Sequence, residues 1–352
     1  MKKVKKMFAL LLMAFISSNL FAQQLPRIKI LATGGTIAGK GTSPNAAGYQ
    51  AGVTPINDMI DAVPGIDKLA TLSAEQVSNI GSQDMTVAIW LKLAKRIDEI
   101  FKNDEADGIV ITHGTDTMEE TAYFLSLTNR YSNPVILTGS MRAGTAMSSD
   151  GPKNLYNAVQ VAADPLSKEK GVMVVFNGSI LDAREVVKTN TTHVDAFTAP
   201  NTGPMGQVLG ETVRYYTTEL RAANKNTPFD VTKLDKLPNV AVVLLFADVS
   251  DVAINAYVKA EVDGIVTAGL GDGNLNEINT AAVMKATNKG VAVCRASRVP
   301  TGRVILNDET DDKKIGSIVG DDLNPQKARI LLMLGLTQSK EKETLQNYFF
   351  KY

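Results

Sequence analysis

One cysteine, two histidines and one tryptophan in 352 residues leave several chemistries without material. No intramolecular disulfide can form from Cys294 alone, so the fold must be held by core burial, for which a 44% hydrophobic composition suffices. Cys294 ends the apolar run Val291-Ala292-Val293-Cys294 and reads as a buried strand residue rather than a reactive thiol. His113 and His193 come with no Cys/His spacing, so no metal site is expected and any hydrolytic water must be activated by other side chains. His113 follows an apolar strand and reads as a hydrogen-bonded buried histidine.

Excess charge is missing too. There are 37 basic and 37 acidic residues, and no dense Lys/Arg patch of the kind a nucleic acid or an anionic membrane would need. Four of the lysines, Lys2, Lys3, Lys5 and Lys6, precede an apolar stretch from Met7 to Phe21 that Ser17, Ser18 and Asn19 interrupt. That pattern is too short to span a bilayer, and Ala22 is a small residue at a plausible cleavage point. Residues 1–22 are therefore expected to be a removed signal peptide. A retained membrane anchor or a lipoprotein signal is the rival reading, but no cysteine stands near the cleavage point to carry a lipid; the mature chain would be exported, with 33 basic residues against 37 acidic ones. A small-molecule partner fits this balance best.

Apolar strands alternate with amphipathic helices along the rest of the chain, which predicts an α/β fold with a mostly parallel sheet. Strands are expected at Ile28 to Ala32, Ile109 to Thr112, Val135 to Thr138 and Val172 to Phe176. Helical spacing puts Ile89, Leu93, Ile97 and Phe101 on one face of 87–101, and a second helix runs from Leu155 to Ala163 after Asp150 and Pro152. The stretch 212–238 is polar and irregular and is taken as a linker. It divides a larger N-terminal α/β domain (23–211), a mostly parallel sheet flanked by helices, from a smaller C-terminal α/β domain (239–352). The smaller domain has strands at Val240 to Phe246, Ile265 to Thr267 and Val291 to Cys294.

Three strands of the larger domain run straight into loops of small hydroxyl and glycine residues: Thr33-Gly34-Gly35-Thr36, His113-Gly114-Thr115-Asp116-Thr117 and Gly139-Ser140-Met141-Arg142. Ligands of parallel sheets bind beyond the carboxyl ends of the strands, so these loops should meet at one crevice. Glycines at such junctions let backbone N–H groups approach a carboxylate or a developing oxyanion. The spacing of Gly34, Gly35 and Gly39 matches neither a dinucleotide fingerprint nor a P-loop. A threonine nucleophile needs a base, and two histidines do not suggest a Ser-His-Asp set. Tyr49, after a Gly- and Ser-rich stretch expected to be mobile, and Lys188, in Lys188-Thr189-Asn190-Thr191-Thr192, are both candidates. Phenol and ammonium groups have reference pKa values near ~10, so either needs a shifted environment or a proton relay.

The segments Ile30-Leu31-Ala32-Thr33-Gly34-Gly35-Thr36-Ile37-Ala38-Gly39 and Gly108-Ile109-Val110-Ile111-Thr112-His113-Gly114-Thr115-Asp116-Thr117-Met118-Glu119-Glu120 resemble two signatures of the bacterial type II, periplasmic L-asparaginases. Gly81-Ser82-Gln83-Asp84-Met85, Asp150-Gly151-Pro152-Lys153-Asn154-Leu155, Lys188-Thr189-Asn190-Thr191-Thr192 and Ser297-Arg298-Val299-Pro300-Thr301-Gly302 extend the resemblance over essentially the whole mature chain.

The resemblance implies hydrolysis of L-asparagine to L-aspartate and ammonia without a cofactor. Thr36 would attack to form an acyl-enzyme, with Tyr49 beside it and Glu309 behind the tyrosine. Thr115 would bind and activate water, with Lys188 tuning it and Asp116 holding the α-ammonium of the substrate. Ser82 and Gln83 would hold the amino-acid head with help from Asn274, while Gly35 and the backbone at Ser140 complete the pocket. It further implies a homotetramer with each site shared between two subunits, Asn274 and Glu309 coming from a neighbour. Some relatives carry a disulfide in the region of Tyr131. A broad-specificity glutaminase-asparaginase and a non-catalytic periplasmic amino-acid-binding protein remain as alternatives, and a cytoplasmic family member is a further one that the signal-like N-terminus argues against.

Overall fold

Strands that are apolar on both faces need helices on both sides, and the chain supplies them. The computed structural model describes residues 24–43, 48–218 and 226–352. The expected signal peptide at 1–22 lies outside the described residues, as do 44–47 before Tyr49 and 219–225 in the expected linker. No helix among the described residues is long and apolar enough to cross a membrane.

The N-terminal part contains β1 (Arg27–Gly34), the short β2 (Lys40–Gly41) and β3 (Tyr49–Gln50), α1 (Ile56–Asp61), β4 (Thr71–Ile80), α2 (Val87–Lys102), β5 (Gly108–Thr112), α3 (Met118–Thr128), β6 (Val135–Thr138), α4 (Gly151–Ala163), β7 (Val172–Phe176) and β8 (Ser179–Asp182). It continues through β9 (Val187–Lys188), β10 (Phe197–Thr198), β11 (Gly206–Leu209) and β12 (Thr212–Tyr215). Eight strands form one sheet in the order β12-β11-β8-β7-β6-β5-β1-β4. The five from β4 to β7 are parallel and the last three are antiparallel. Helix α2 starts where Thr86 Oγ1 accepts the Ile89 N–H, and it buries Trp90, Leu93, Ile97 and Ile100.

The C-terminal part has β13 (Val240–Leu244), α5 (Val252–Lys259), β14 (Gly264–Gly269), α6 (Glu277–Asn288), β15 (Ala292–Ser297), α7 (Asp312–Ile315), β16 (Ile318–Val319), α8 (Pro325–Leu336) and α9 (Lys342–Lys351). Its four strands are parallel, in the order β13-β14-β15-β16. One core cluster is continuous across both parts: Leu137 and Phe176 of the large sheet belong to it, as do Val266, Cys294 and Leu331 of the small domain. A junction filled by apolar side chains favours one fixed arrangement of the two domains.

The expected linker needs correcting at both ends. Its first residues form β12, paired antiparallel with β11, so the large sheet runs on through Tyr215 rather than stopping at 211. Farther along, Phe229 and Val231 are buried, and the Phe229 ring meets Tyr348 and Tyr352 edge-on. The many polar residues of 226–238 hide two apolar anchors that pin the segment to the core.

Candidate active site

The three glycine-hydroxyl loops meet at the carboxyl ends of β1, β5 and β6, and glycine is what allows them to. A Cβ on Gly35, which sits at φ 81°, would lie 2.4 Å from the backbone of Gly114. A Cβ on Gly114 would come within 2.6 Å of Ser82 Oγ. No larger residue fits either place without moving the other loop. The contact brings Thr36 and Thr115, the residues that follow these glycines, to the same crevice. Gly35 itself donates its N–H to Ile80 O at 2.9 Å.

Thr36 opens a single turn of 3₁₀ helix directly after β1, and it is buried. Its Oγ1 lies 2.6 Å from the Tyr49 hydroxyl. Tyr49 reaches it from β3, which pairs back on Lys40–Gly41, and its ring packs beside Gly39, where a Cβ would meet Cδ2 at 2.7 Å.

Across the crevice stands a second polar group. Lys188 Nζ donates to Thr115 Oγ1 at 2.9 Å and to Asp116 Oδ1 at 2.7 Å. Ser82 Oγ accepts the Asp116 N–H at 3.0 Å, and Thr117 Oγ1 donates to Ser82 O at 2.8 Å. Thr115 and Ser82 are buried, whereas the Asp116 carboxylate is 56% exposed and open to a ligand. Gln83 is exposed at the same rim. The arrangement supplies a hydroxyl in contact with a phenol on one wall. On the other it supplies a hydroxyl in contact with an ammonium, beside an accessible carboxylate.

Ser140 is fully buried, and its Oγ donates to Arg142 O at 2.7 Å. Asp150 fixes that loop by accepting the N–H groups of Met141 and Arg142 at 3.0 and 2.9 Å. Asn154, one helical turn on, donates to Gly139 O at 3.0 Å. The i, i+4 spacing of Asp150 and Asn154 is a signal from which this support could have been read.

His113 is the buried, hydrogen-bonded histidine that its place after an apolar strand suggests. Trp90 Nε1 donates to Thr121 Oγ1, so the threonine hydrogen is left for His113 Nε2, and Nδ1–H donates to Gly114 O at 2.6 Å. Burial pushes its pKa down to about 4 against the bond to Gly114, so the ring is neutral at pH 7.

Asn274 and Glu309 belong to a different place. Asn274 Nδ2 donates to Glu309 Oε2 and Thr310 Oγ1 donates to Asn274 Oδ1 at 3.3 Å, all within the C-terminal domain. Beneath them is a device that sequence reasoning missed. Arg295 is fully buried; its guanidinium makes a two-pronged bond to Asp312 at 2.7 and 2.8 Å. It also donates to the carbonyls of Asp272, Gly273 and Ile305. One cation thus ties the loop carrying Asn274 to the loop carrying Glu309. Burial opposes the charge on Asp312, yet Arg295, the Asn307 N–H and Ser317 hold it below the ordinary carboxylate range. The sequence signal was a charged residue continuing an apolar strand.

Residues 27–221 match the family described as Asparaginase, N-terminal, and residues 239–349 match the Glutaminase/Asparaginase C-terminal domain. The chain is 48% identical to L-asparaginase 2 of Escherichia coli (strain K12), over 99% of each protein. It is also 48% identical to the probable L-asparaginase periplasmic of Haemophilus influenzae, over 93% of each. Its fold superposes on the crystal structure of a probable cytoplasmic L-asparaginase from Campylobacter jejuni with a TM-score of 0.90 and 48% identity, covering 93% of this chain and 100% of that one. Two successive domain matches and nearly full-length identity lead to one conclusion: the chain belongs to the asparaginase/glutaminase family.

Proposed function

We propose that the protein hydrolyses L-asparagine to L-aspartate and ammonia through an acyl-enzyme on Thr36, with lesser turnover of L-glutamine. The single observation that carries this reading is the 2.6 Å contact of Thr36 Oγ1 with the Tyr49 hydroxyl, on the wall facing Thr115, Lys188 and Asp116. Thr36 Oγ attacks the side-chain amide carbon and its proton passes to the Tyr49 oxygen, while the Tyr49 proton goes to the departing nitrogen, which leaves as ammonia. A water held at Thr115, its hydroxyl polarised by Lys188, then attacks the ester carbon and releases aspartate, and the proton returns to Thr36. Asp116 receives the α-ammonium, and Ser82, Gln83, Gly35 and the backbone at Ser140 enclose the rest of the amino acid. No cofactor takes part in these steps.

The site is completed by Asn274 and Glu309 of a second subunit in a homotetramer. Supporting this, the two residues pair with each other in their own C-terminal domain, and the edge strand β13 leaves Leu244, with Phe246 and Val252 beyond it, exposed. The lysine-rich start followed by Met7 to Phe21 supports export to the periplasm, the location in the name of the Haemophilus influenzae relative; the Campylobacter jejuni protein is titled cytoplasmic. N-terminal sequencing of the protein from a periplasmic fraction decides between them: a start near residue 23 supports export, an intact Met1 refutes it.

Thr36→Ala tests the nucleophile. Ammonia release from L-asparagine should fall at least about a thousandfold while L-aspartate still binds. Turnover at the wild-type rate would remove Thr36 from the mechanism. Assaying L-glutamine in parallel sets the preference, since the extra methylene is worth only ~1–3 kcal/mol in a pocket.

A further inference from the structure

Lys188 sits on a strand of two residues that pairs, among the described residues, only with Phe197–Thr198, and its ammonium is at the end of a flexible stem. So short a ladder cannot fix Nζ between Thr115 and Asp116 by itself. Two buried charged groups supply the missing anchorage. Lys327, near the start of α8, is buried, and its Nζ donates to the carbonyls of Arg184 and Val186 at 2.6 and 2.5 Å, just upstream of Lys188. On the other side, the Lys188 backbone N–H donates to Glu119 Oε2 at 2.7 Å. Glu119 stands in the first turn of α3, four residues past Thr115, and its second oxygen accepts from Gln326 at 2.5 Å and Asn324 at 3.4 Å.

The first turn of α8 thus reaches from the C-terminal domain to both anchors. A buried ammonium is costly compared with an apolar side chain of the same length, and burial pulls the pKa of Lys327 down to about 8. Packing alone would be served better by methionine.

We infer that Glu119 and Lys327 are positioning residues: together with Gln326 they set the backbone of Lys188 so that its Nζ meets Thr115 Oγ1 and Asp116 Oδ1 at once. The inference rests on the role proposed above for Lys188. Glu119 couples the loop of Thr115 and Asp116 to β9 within the large domain. Lys327 and Gln326 make that coupling depend on the seating of the small domain.

The test compares Glu119→Gln, Lys327→Met and Lys188→Met with Leu332→Ala, a buried residue of the same helix that packs over Gly264 of β14. Steady-state ammonia release from L-asparagine and melting temperature are measured on each full-length protein. Misplacing Lys188 should lower kcat of Glu119→Gln and Lys327→Met by roughly ten- to a hundredfold with KM changed less than about threefold, and Lys188→Met should lose at least as much. Leu332→Ala should lose melting temperature yet keep kcat within about twofold. If Lys327→Met does not fold, Gln326→Ala carries the same expectation, a kcat loss of roughly three- to tenfold at unchanged KM. Wild-type kcat in Glu119→Gln and in the Lys327 or Gln326 variant, with Lys188→Met impaired, overturns the positioning inference alone. An equal kcat loss in Leu332→Ala overturns it as well. Full turnover by Lys188→Met refutes the role of Lys188 itself, and the inference with it.

Discussion

At the scale of single residues, Gly114 has no room for a side chain. An added Cβ would lie 2.6 Å from Ser82 Oγ and 3.1 Å from Gly35 Cα, so the loops of Thr36, Ser82 and Thr115 must part to admit a methyl group. Gly114→Ala should therefore cost about 1–3 kcal/mol of stability and at least tenfold in kcat/KM, because the shift is forced on the crevice itself. Chemical denaturation and asparagine kinetics on one preparation check both. Normal kinetics would mean that the loops tolerate separation.

Two titratable groups flanking this loop give the stability an opposed pH dependence. Glu120, partly buried beside Glu119 and facing Arg329 and Lys327, has its pKa pushed up to about 7, chiefly by desolvation. A raised carboxyl pKa stabilises most at low pH, and that contribution is lost as pH rises from the unfolded value near ~4.5 through 7. His113 has the reverse sign: its depressed pKa costs stability as pH falls from ~6.5 toward 4. Glu120→Gln should accordingly gain about 2–3 kcal/mol over wild type between pH 4.5 and pH 8, read from urea midpoints at the two values. A difference that does not change with pH would mean that Glu120 ionises normally in the folded protein.

At the scale of elements, the central parallel strands were legible because burial on both faces makes them continuous apolar runs between turn residues. β5, β6 and β7 fall within a residue of expectation. Strand β4 was not legible: it is an edge strand whose sequence, Thr71 to Ile80, mixes polar and apolar residues because much of it stays exposed. Nor was α3, which is buried around nearly its whole circumference and so shows no apolar stripe. The loops of the candidate site could be read from glycines and hydroxyls at strand ends. Their supports could not, because Glu119, Lys327 and Arg295 look like surface charges until the fold encloses them.

Arg295 shows the reason most clearly. The expected strand ended at Cys294, yet β15 continues through it to Ser297, and the Asp312 carboxylate, with the carbonyls of Asp272, Gly273 and Ile305, makes burial of the guanidinium tolerable. Arg295→Met should leave Asp312 charged and unpaired, at a cost of about 3–5 kcal/mol, and should release the loops that carry Asn274 and Glu309. Replacing both partners with apolar residues should restore much of the stability without restoring those loops. A melting temperature near wild type together with reduced kcat/KM in the double variant is the expected signature. Recovery of both would confine the pair to a stabilising role.

For the whole molecule, the division of site residues between domains leads to a quantitative test. Thr36 and Tyr49 stand at one end of the large sheet, while Asn274 and Glu309 engage each other in the small domain. If each site joins the first pair of one subunit to the second pair of another, the defects of Thr36→Ala and Glu309→Ala lie on different surfaces and can be separated. Unfolding the two inactive variants together in equal amounts and refolding them should let subunits associate at random. Half of the sites would carry an intact Thr36, and half of those would face a subunit with an intact Glu309. About a quarter of wild-type activity should return, from two preparations that have almost none alone. A Phe246→Asp substitution in both variants should lower the molecular mass seen by light scattering and abolish the recovery, since a charge at that exposed apolar position opposes association. If the refolded mixture stays as inactive as its components while its mass matches wild type, each site is built within one chain, and Glu309 must then reach Tyr49 by a rearrangement of its own subunit.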